Sequence, residues 1–174
     1  CFFLFLLPQC LFAHTDIGST KKQIRSTVAI IHKEKKYTNV YLDQLQFSKN
    51  ITDGGGSITG YFKNIKLVKV VRWIGLSYGF IVDEFYLDND KLIFVHESEN
   101  TFNYNDTTGE FDYDNIAVKF NGRYWFSNNK MIDVVSSGHN RFESDKADAE
   151  KDFLADIKNY SALLNKKLHY SKRK

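Results

Sequence analysis

The chain has 174 residues, 43% apolar and 26% charged, with a single Pro, which fits one globular domain and excludes disordered and fibrous classes. Aromatic residues reach 16%, with 15 Phe and 10 Tyr, a content that favours half-buried pleated surfaces over helix bundles. The formal charge of +3 belongs to a tail: residues 166–174 carry five basic groups and no acid, and the remainder holds 19 basic against 21 acidic residues, which excludes a body shaped to embrace a polyanion.

Residues 1–13 (CFFLFLLPQCLFA) form the most apolar stretch and contain no charge. The run is shorter than the roughly 20 residues a membrane-spanning helix needs. Ending on Ala13 before a polar segment, it fits a secretory signal peptide. A positive n-region and an initiator Met are missing, so the expectation is a truncated precursor whose mature part is secreted or periplasmic. Cys10 after an apolar run raises lipidation as an alternative, against which Leu7, Pro8 and Gln9 make a poor lipobox. Both cysteines, Cys1 and Cys10, fall in this segment. The expected mature chain thus has no thiol, which excludes disulfides, Cys-ligated zinc and thiol catalysis, and no cofactor is expected.

Ser19 or Thr20 can cap a helix in which Ile24, Val28 and Ile31 share one face. Lys21, Lys22, Arg25, Lys33, Lys35 and Lys36 occupy the rest, giving a basic amphipathic helix of about four turns with a solvated outer face. Residues 37–50 read as an irregular or partly extended connection. Asp-Gly-Gly-Gly at residues 53–56 is a turn signal, not a phosphate cradle, since no Lys-Ser/Thr pair follows.

Between residues 57 and 137, β-branched and aromatic residues recur among turn signals. Residues 61–70 (YFKNIKLVKV), 86–95 (YLDNDKLIFV) and 125–134 (WFSNNKMIDV) align with one another. Their common pattern is aromatic, apolar, polar, Asn, any, Lys, Leu or Met, aliphatic, any, and Val. Each copy predicts a strand, a tight turn on Asn and a returning strand, because Asn tolerates the left-handed conformation of hairpin turns. The unequal offsets of 25 and 39 residues indicate a meander with an insertion at residues 99–115, a long loop or ragged hairpin. Beyond it, Ser144 starts a helix with Asp145, Asp148 and Glu150 in its first turns, whose face of Phe153, Ile157, Tyr160, Leu164 and Leu168 should cover the sheet.

The repeated Tyr-Phe-x-Asn-x-Lys-Leu hairpins, and residues 84–95 in particular, resemble uncharacterised secreted bacterial β-meander proteins and, distantly, MORN-type repeats. The similarity covers residues 60–135 and carries no catalytic residues with it. The spacing here is unequal and the regular glycines of MORN repeats are missing.

Ten acids and one base, Lys91, lie between Asp83 and Asp114, a bias that turn and edge solvation explains. Its functional alternatives are a patch for a basic partner or a calcium site at Asn103, Asn105, Asp106, Glu110, Asp112 and Asp114, where Gly109 is out of register for an EF-hand. No two of His14, His32, His96, His139 and His169 have metal-ligand spacing on one element, and no metal is assigned. No Gly-x-Ser-x-Gly elbow exists. Lys63, Lys66, Lys69 and Arg72 with Tyr61 and Trp73 come nearest to a nucleic-acid surface, but strand alternation produces the same pattern, and no nucleic-acid partner is assigned.

The resulting expectation is an α+β domain of five to seven antiparallel strands with an N-terminal helix and a C-terminal helix packed on one face, and no transmembrane segment in the mature chain. Its function reads as a non-catalytic binding module for another protein or a cell-envelope component. Tyr78, Tyr86, Tyr104, Tyr113, Tyr124 and Trp125 are candidate exposed contacts. The alternative is a hydrolase using a carboxylate pair.

Overall fold

A computed structural model describes residues 16–139 and 147–171. The expectations for the leader at residues 1–13, for Cys1 and Cys10, for Ser144 and Asp145 and for Lys172, Arg173 and Lys174 lie outside the described residues, while the C-terminal helix starts at Ala149, with Asp148 just ahead of it and Glu150 in its first turn. The elements run α1 (Ile17–Lys33), β1 (Thr38–Asp43), α2 (Gln44–Phe47), β2 (Gly56–Lys63), β3 (Lys66–Leu76), β4 (Gly79–Asp88), β5 (Lys91–Asn105), β6 (Glu110–Ser127), β7 (Lys130–Gly138) and α3 (Ala149–Ser171). The seven strands form one antiparallel sheet in chain order, so every neighbour is joined by a hairpin or short connection. This is the expected α+β meander.

Two local expectations are corrected. The cap of α1 is Asp16, whose carboxylate accepts from the Gly18 and Ser19 amides at 3.2 and 3.1 Å, while the Ser19 and Thr20 hydroxyls turn back to the Asp16 carbonyl. A carboxylate is as good a cap as a hydroxyl and also complements the helix dipole. Of the irregular or partly extended connection expected at residues 37–50, residues 38–43 are the extended part and form an edge strand, because Val40 and Leu42 alternate inward and its backbone pairs with residues 57–62. Lys35 and Lys36 lie beyond the C-cap Glu34, so the helix is shorter than its basic run.

The three repeats form the three expected Asn hairpins. Asn64, Asn89 and Asn128 all have positive φ, joined by Asp90 and Asn129 in the second and third copies. Two successive left-handed residues make a type I′ turn, whose twist matches the flanking strands. Each copy also holds a β-bulge directly after its aromatic residue. Tyr61 faces Lys69 but Phe62 faces Leu67; Tyr86 faces Phe94 but Leu87 faces Leu92; Trp125 faces Asp133 but Phe126 faces Met131. The residue left over is Val68, Ile93 or Ile132, the aliphatic eighth position of the repeat.

This register gives the sheet two different faces. Phe62, Leu67, Val70, Leu87, Leu92, Val95 and Phe126 line one side and meet α3, whose Phe153, Ile157, Tyr160, Leu164 and Leu168 are all buried as expected. Phe153 touches Phe85, Tyr124 and Phe126 edge-on at 5.9, 4.8 and 6.5 Å. Gly60 makes room for α3, since a Cβ there would stand 2.8 Å from a Leu164 methyl. The opposite face carries α1. Residues 99–115 take the ragged-hairpin form: β5 and β6 extend to a turn at residues 106–109, with Asn105 accepting from the Thr107 and Thr108 amides and with pairing irregular after Phe102.

Because Asn128 sits at φ 52°, Asn128→Val is expected to lower stability by about 1–2 kcal/mol in urea denaturation, and Asn128→Gly to stay within about 0.5 kcal/mol of the parent. Equal effects of the two substitutions would contradict the turn assignment.

Candidate functional site

Directly opposed residues in an antiparallel pair share a face. Along β4, Tyr86, Glu84, Val82 and Phe80 therefore point to the α1 side, and the strand divides that side into three zones. From Tyr86 to Phe80 is about 20 Å at roughly 3.3 Å per residue.

The first zone is an aromatic floor beneath α1. Tyr86 and Phe94 lie 5.8 Å apart and Phe94 and Trp125 5.3 Å apart. Lys69 stands over the Tyr61 and Tyr86 rings at 5.7 and 5.1 Å, and Lys21 and Arg25 stand over Trp125 at 4.1 and 5.7 Å. The floor is the first position of the second and third repeats, Tyr86 and Trp125, joined by Phe94, the cross-strand partner of both. Lys21 also pairs with Asp133, and His32 reaches the Tyr86 hydroxyl at 2.6 Å, so α1 is tied down at both ends.

The second zone is a polar chain centred on Glu84. Lys69 pairs with one carboxylate oxygen; the other receives the Tyr86 hydroxyl at 3.3 Å and His96 Nδ1 at 3.2 Å, and Asn121 meets His96 Nε2 at 3.0 Å. With Nδ1–H donated to Glu84, the other imidazole nitrogen accepts from Asn121, so a neutral His96 is satisfied on both sides. Burial pushes the Glu84 carboxyl up, but the hydrogen bonds from His96 and Lys69 and the charge of Lys69 outweigh it and hold it at about 2. Burial, then Glu84, raises the Tyr86 hydroxyl well above its ordinary value. A carboxylate held this firmly by three donors is an anchor, with neither proton nor basicity to lend near neutral pH.

The third zone is an aromatic row that none of the described helices covers. Trp73 stacks on Phe80 at 6.2 Å, Phe80 meets Phe102 at 6.1 Å, and Phe102 meets Tyr113 at 4.9 Å, one ring from each of β3, β4, β5 and β6. Trp73 is 37% and Tyr113 65% exposed, and Ile116 and Val118 beside them are 48% and 63% exposed. Gly75 lets the Trp73 indole lie flat, since a Cβ there would stand 2.6 Å from the ring. The exposed acids Asp106, Glu110, Asp112 and Asp114 border this row on the β5–β6 hairpin.

The candidate contacts separate accordingly. Tyr78, Tyr104 and Tyr113 are exposed as expected, at 44%, 54% and 65%. Tyr86, Tyr124 and Trp125, at 0%, 1% and 3%, are not surface contacts. Tyr86 and Trp125 belong to the floor under α1, and Tyr124 belongs to the α3 core, where its hydroxyl donates to Glu97 at 3.2 Å. Tyr86 and Trp125 are buried because the first position of the second and third copies faces α1, whereas Tyr61 in the first copy is half-buried. The members that sequence reasoning missed as contacts, Phe80 and Phe102, lie outside the repeats; their signal was same-face spacing from Trp73 and Tyr113 across three hairpins.

The acidic region also differs from expectation. Asp83 and Glu97 are cross-strand partners and are 0% and 2% exposed, so they are core residues and not solvated edge groups. Both lie under α3. Arg72 donates to Asp83 at 2.6 Å and reaches Tyr160 and Asp156 at 3.3 and 3.5 Å. Burial raises the Tyr160 hydroxyl to about 12. Lys69 and Arg72 thus serve carboxylates on opposite faces, and Lys63 pairs with Glu34, so these three bases do not form one stripe. Among the described residues no group of three or more His, Cys, Asp or Glu side chains is placed to hold a metal, and no helix is long and apolar enough to cross a membrane. Comparisons of the chain with protein-family models, curated proteins and solved structures find no match.

Glu84 has its carboxyl lowered in the folded state, so its stabilising contribution is present above its ordinary value of 4.5 and is lost as pH falls towards about 2. Glu84→Gln is expected to cost on the order of 2–3 kcal/mol at pH 7, a difference that shrinks towards zero by about pH 2. Chemical denaturation across that range checks it; a pH-independent difference would contradict the network.

Proposed function

We propose that this chain is an exported, non-catalytic binding module that engages a protein partner through the open aromatic row of Trp73, Phe80, Phe102 and Tyr113. The carrying observation is the row itself: four rings in contact across four strands, with Ile116 and Val118 beside them, on a part of the sheet that neither α1 nor α3 covers. A contiguous apolar patch of this kind is a mark of an interaction surface, and Tyr and Trp are over-represented among residues that dominate binding energy. The acids on the adjoining hairpin select a partner whose apolar centre is rimmed by basic groups. Export rests on the uncharged apolar run of residues 1–13 ending at Ala13.

The carboxylates favour binding over hydrolysis. Asp83 and Glu97 form a cross-strand pair, yet both are buried under α3 and Asp83 is neutralised by Arg72, so neither has access to a substrate. Glu84 is fixed by Lys69, Tyr86 and His96.

Immobilised protein challenged with the secreted fraction of its source organism tests the reading. The partner captured by the parent chain is expected to fall by about tenfold or more with a Trp73→Ser, Tyr113→Ser variant, and to weaken as salt is raised. Undiminished capture by that variant, with melting temperature preserved, would contradict it.

A further inference from the structure

A second site of different chemistry lies under α1, formed by side chains separate from the open row. Between α1 and the sheet is a groove of about 330 Å³, with Phe94 and Trp125 as its floor, Ile24, Val28 and Ala29 on the helix side, and Arg25 and Arg123 among its lining. The volume is about twice the ~150 Å³ that accommodates a benzene ring, and it falls at the small end of ligand pockets.

Three observations set this groove apart from a packing defect. Its apolar surface is aromatic below and aliphatic above, the lining that accepts a hydrocarbon tail. Neither Arg25 nor Arg123 has a carboxylate within ion-pair distance among the described residues. Asp133, the acid beside them, is bonded to Lys21; its carboxyl is lowered first by that bond and, least, by the charge of Arg25. Lys21 and Arg25 thus stand near Asp133 and Arg123 lines the same groove, so among these described groups positive charge exceeds negative. Finally, the indole N–H of the floor residue Trp125 is buried with no hydrogen-bond partner among the described residues, an unsatisfied polar group in the groove floor.

We infer that the α1 groove binds a small amphiphilic carboxylate, its apolar tail on Phe94 and Trp125 and its head on Arg25 and Arg123. Guanidinium groups suit a carboxylate because their paired N–H donors match its two oxygens. An alcohol with the same tail would fill the groove but leave both charges unanswered, and a quaternary ammonium would meet repulsion.

Octanoate, octanol and octyltrimethylammonium, titrated by calorimetry into the folded protein, test this. A Trp73→Phe background leaves Trp125 as the single tryptophan, so its fluorescence reports on the groove. Octanoate is expected to bind saturably with a shift of Trp125 emission, about tenfold or more tighter than octanol. The ammonium is expected not to bind. Arg25→Gln with Arg123→Gln should remove the preference for octanoate over octanol, and Ala29→Phe, at an exposed position on the groove wall, should abolish binding of both. No saturable octanoate binding, equal affinity for octanol, a preference that survives loss of both arginines, or binding undisturbed by Ala29→Phe would each overturn the assignment. The Arg25, Arg123 and Ala29 substitutions lie outside the open row, so capture of a protein partner there, measured with Trp73 in place, stands or falls separately.

Discussion

Adjacent residues on a strand point to opposite faces, and an aromatic followed by an apolar residue therefore cannot serve one hydrophobic layer. Tyr61-Phe62, Tyr86-Leu87 and Trp125-Phe126 place exactly this demand on three hairpins, and a bulge at the same point in each copy keeps both members paired. The second member joins the core under α3. In the second and third copies the first member joins the floor under α1. A single sheet thereby becomes the middle layer between two helices of different chemistry: aliphatic and aromatic contacts with α3, cation–aromatic and hydrogen-bonded contacts with α1.

The helices lie near the Asn turns, and the strands outrun them. Thr20, Gln23 and Thr27 of α1 share a cavity with Asp88, Asn89 and Asn128, which places α1 over the turn end of β4–β6. At the other end the same face continues through the Glu84 network to Trp73 and Phe80, beyond the reach of the described helices. The polar zone between them separates two apolar ones, so the covered groove and the open row can recognise different molecules. On the α3 side, Asp83 and Glu97 show the cost of placing acids in a core: Asp83 is tolerated through Arg72, and one of its oxygens still lacks a hydrogen-bond partner among the described residues.

Much of this architecture was legible in the amino-acid order. The Asn-centred repeats announce their hairpins because left-handed Asn is a local requirement that the turn itself imposes. The spacing of Phe153, Ile157, Tyr160, Leu164 and Leu168 announces α3 because helical periodicity needs no knowledge of the rest. The edge strand at residues 38–43 was legible only as partly extended backbone, since six residues with two inward positions resemble any short connection. The fate of the aromatics was not legible either. Tyr86 and Tyr113 look alike in the chain, and only the position of α1 buries one and leaves the other exposed. Asp83 and Glu97 were read as solvated for the same reason: their burial depends on α3, more than 50 residues later.

Aromatic proton contacts in solution test the two-faced sheet most directly. Nuclear Overhauser effects are expected between the rings of Phe85 and Phe153 and, in the same sample, between the ring of Tyr86 and the imidazole of His32, two neighbours in sequence each seeing a different helix. Contacts of both Phe85 and Tyr86 with one helix, or of neither with any, would contradict the account.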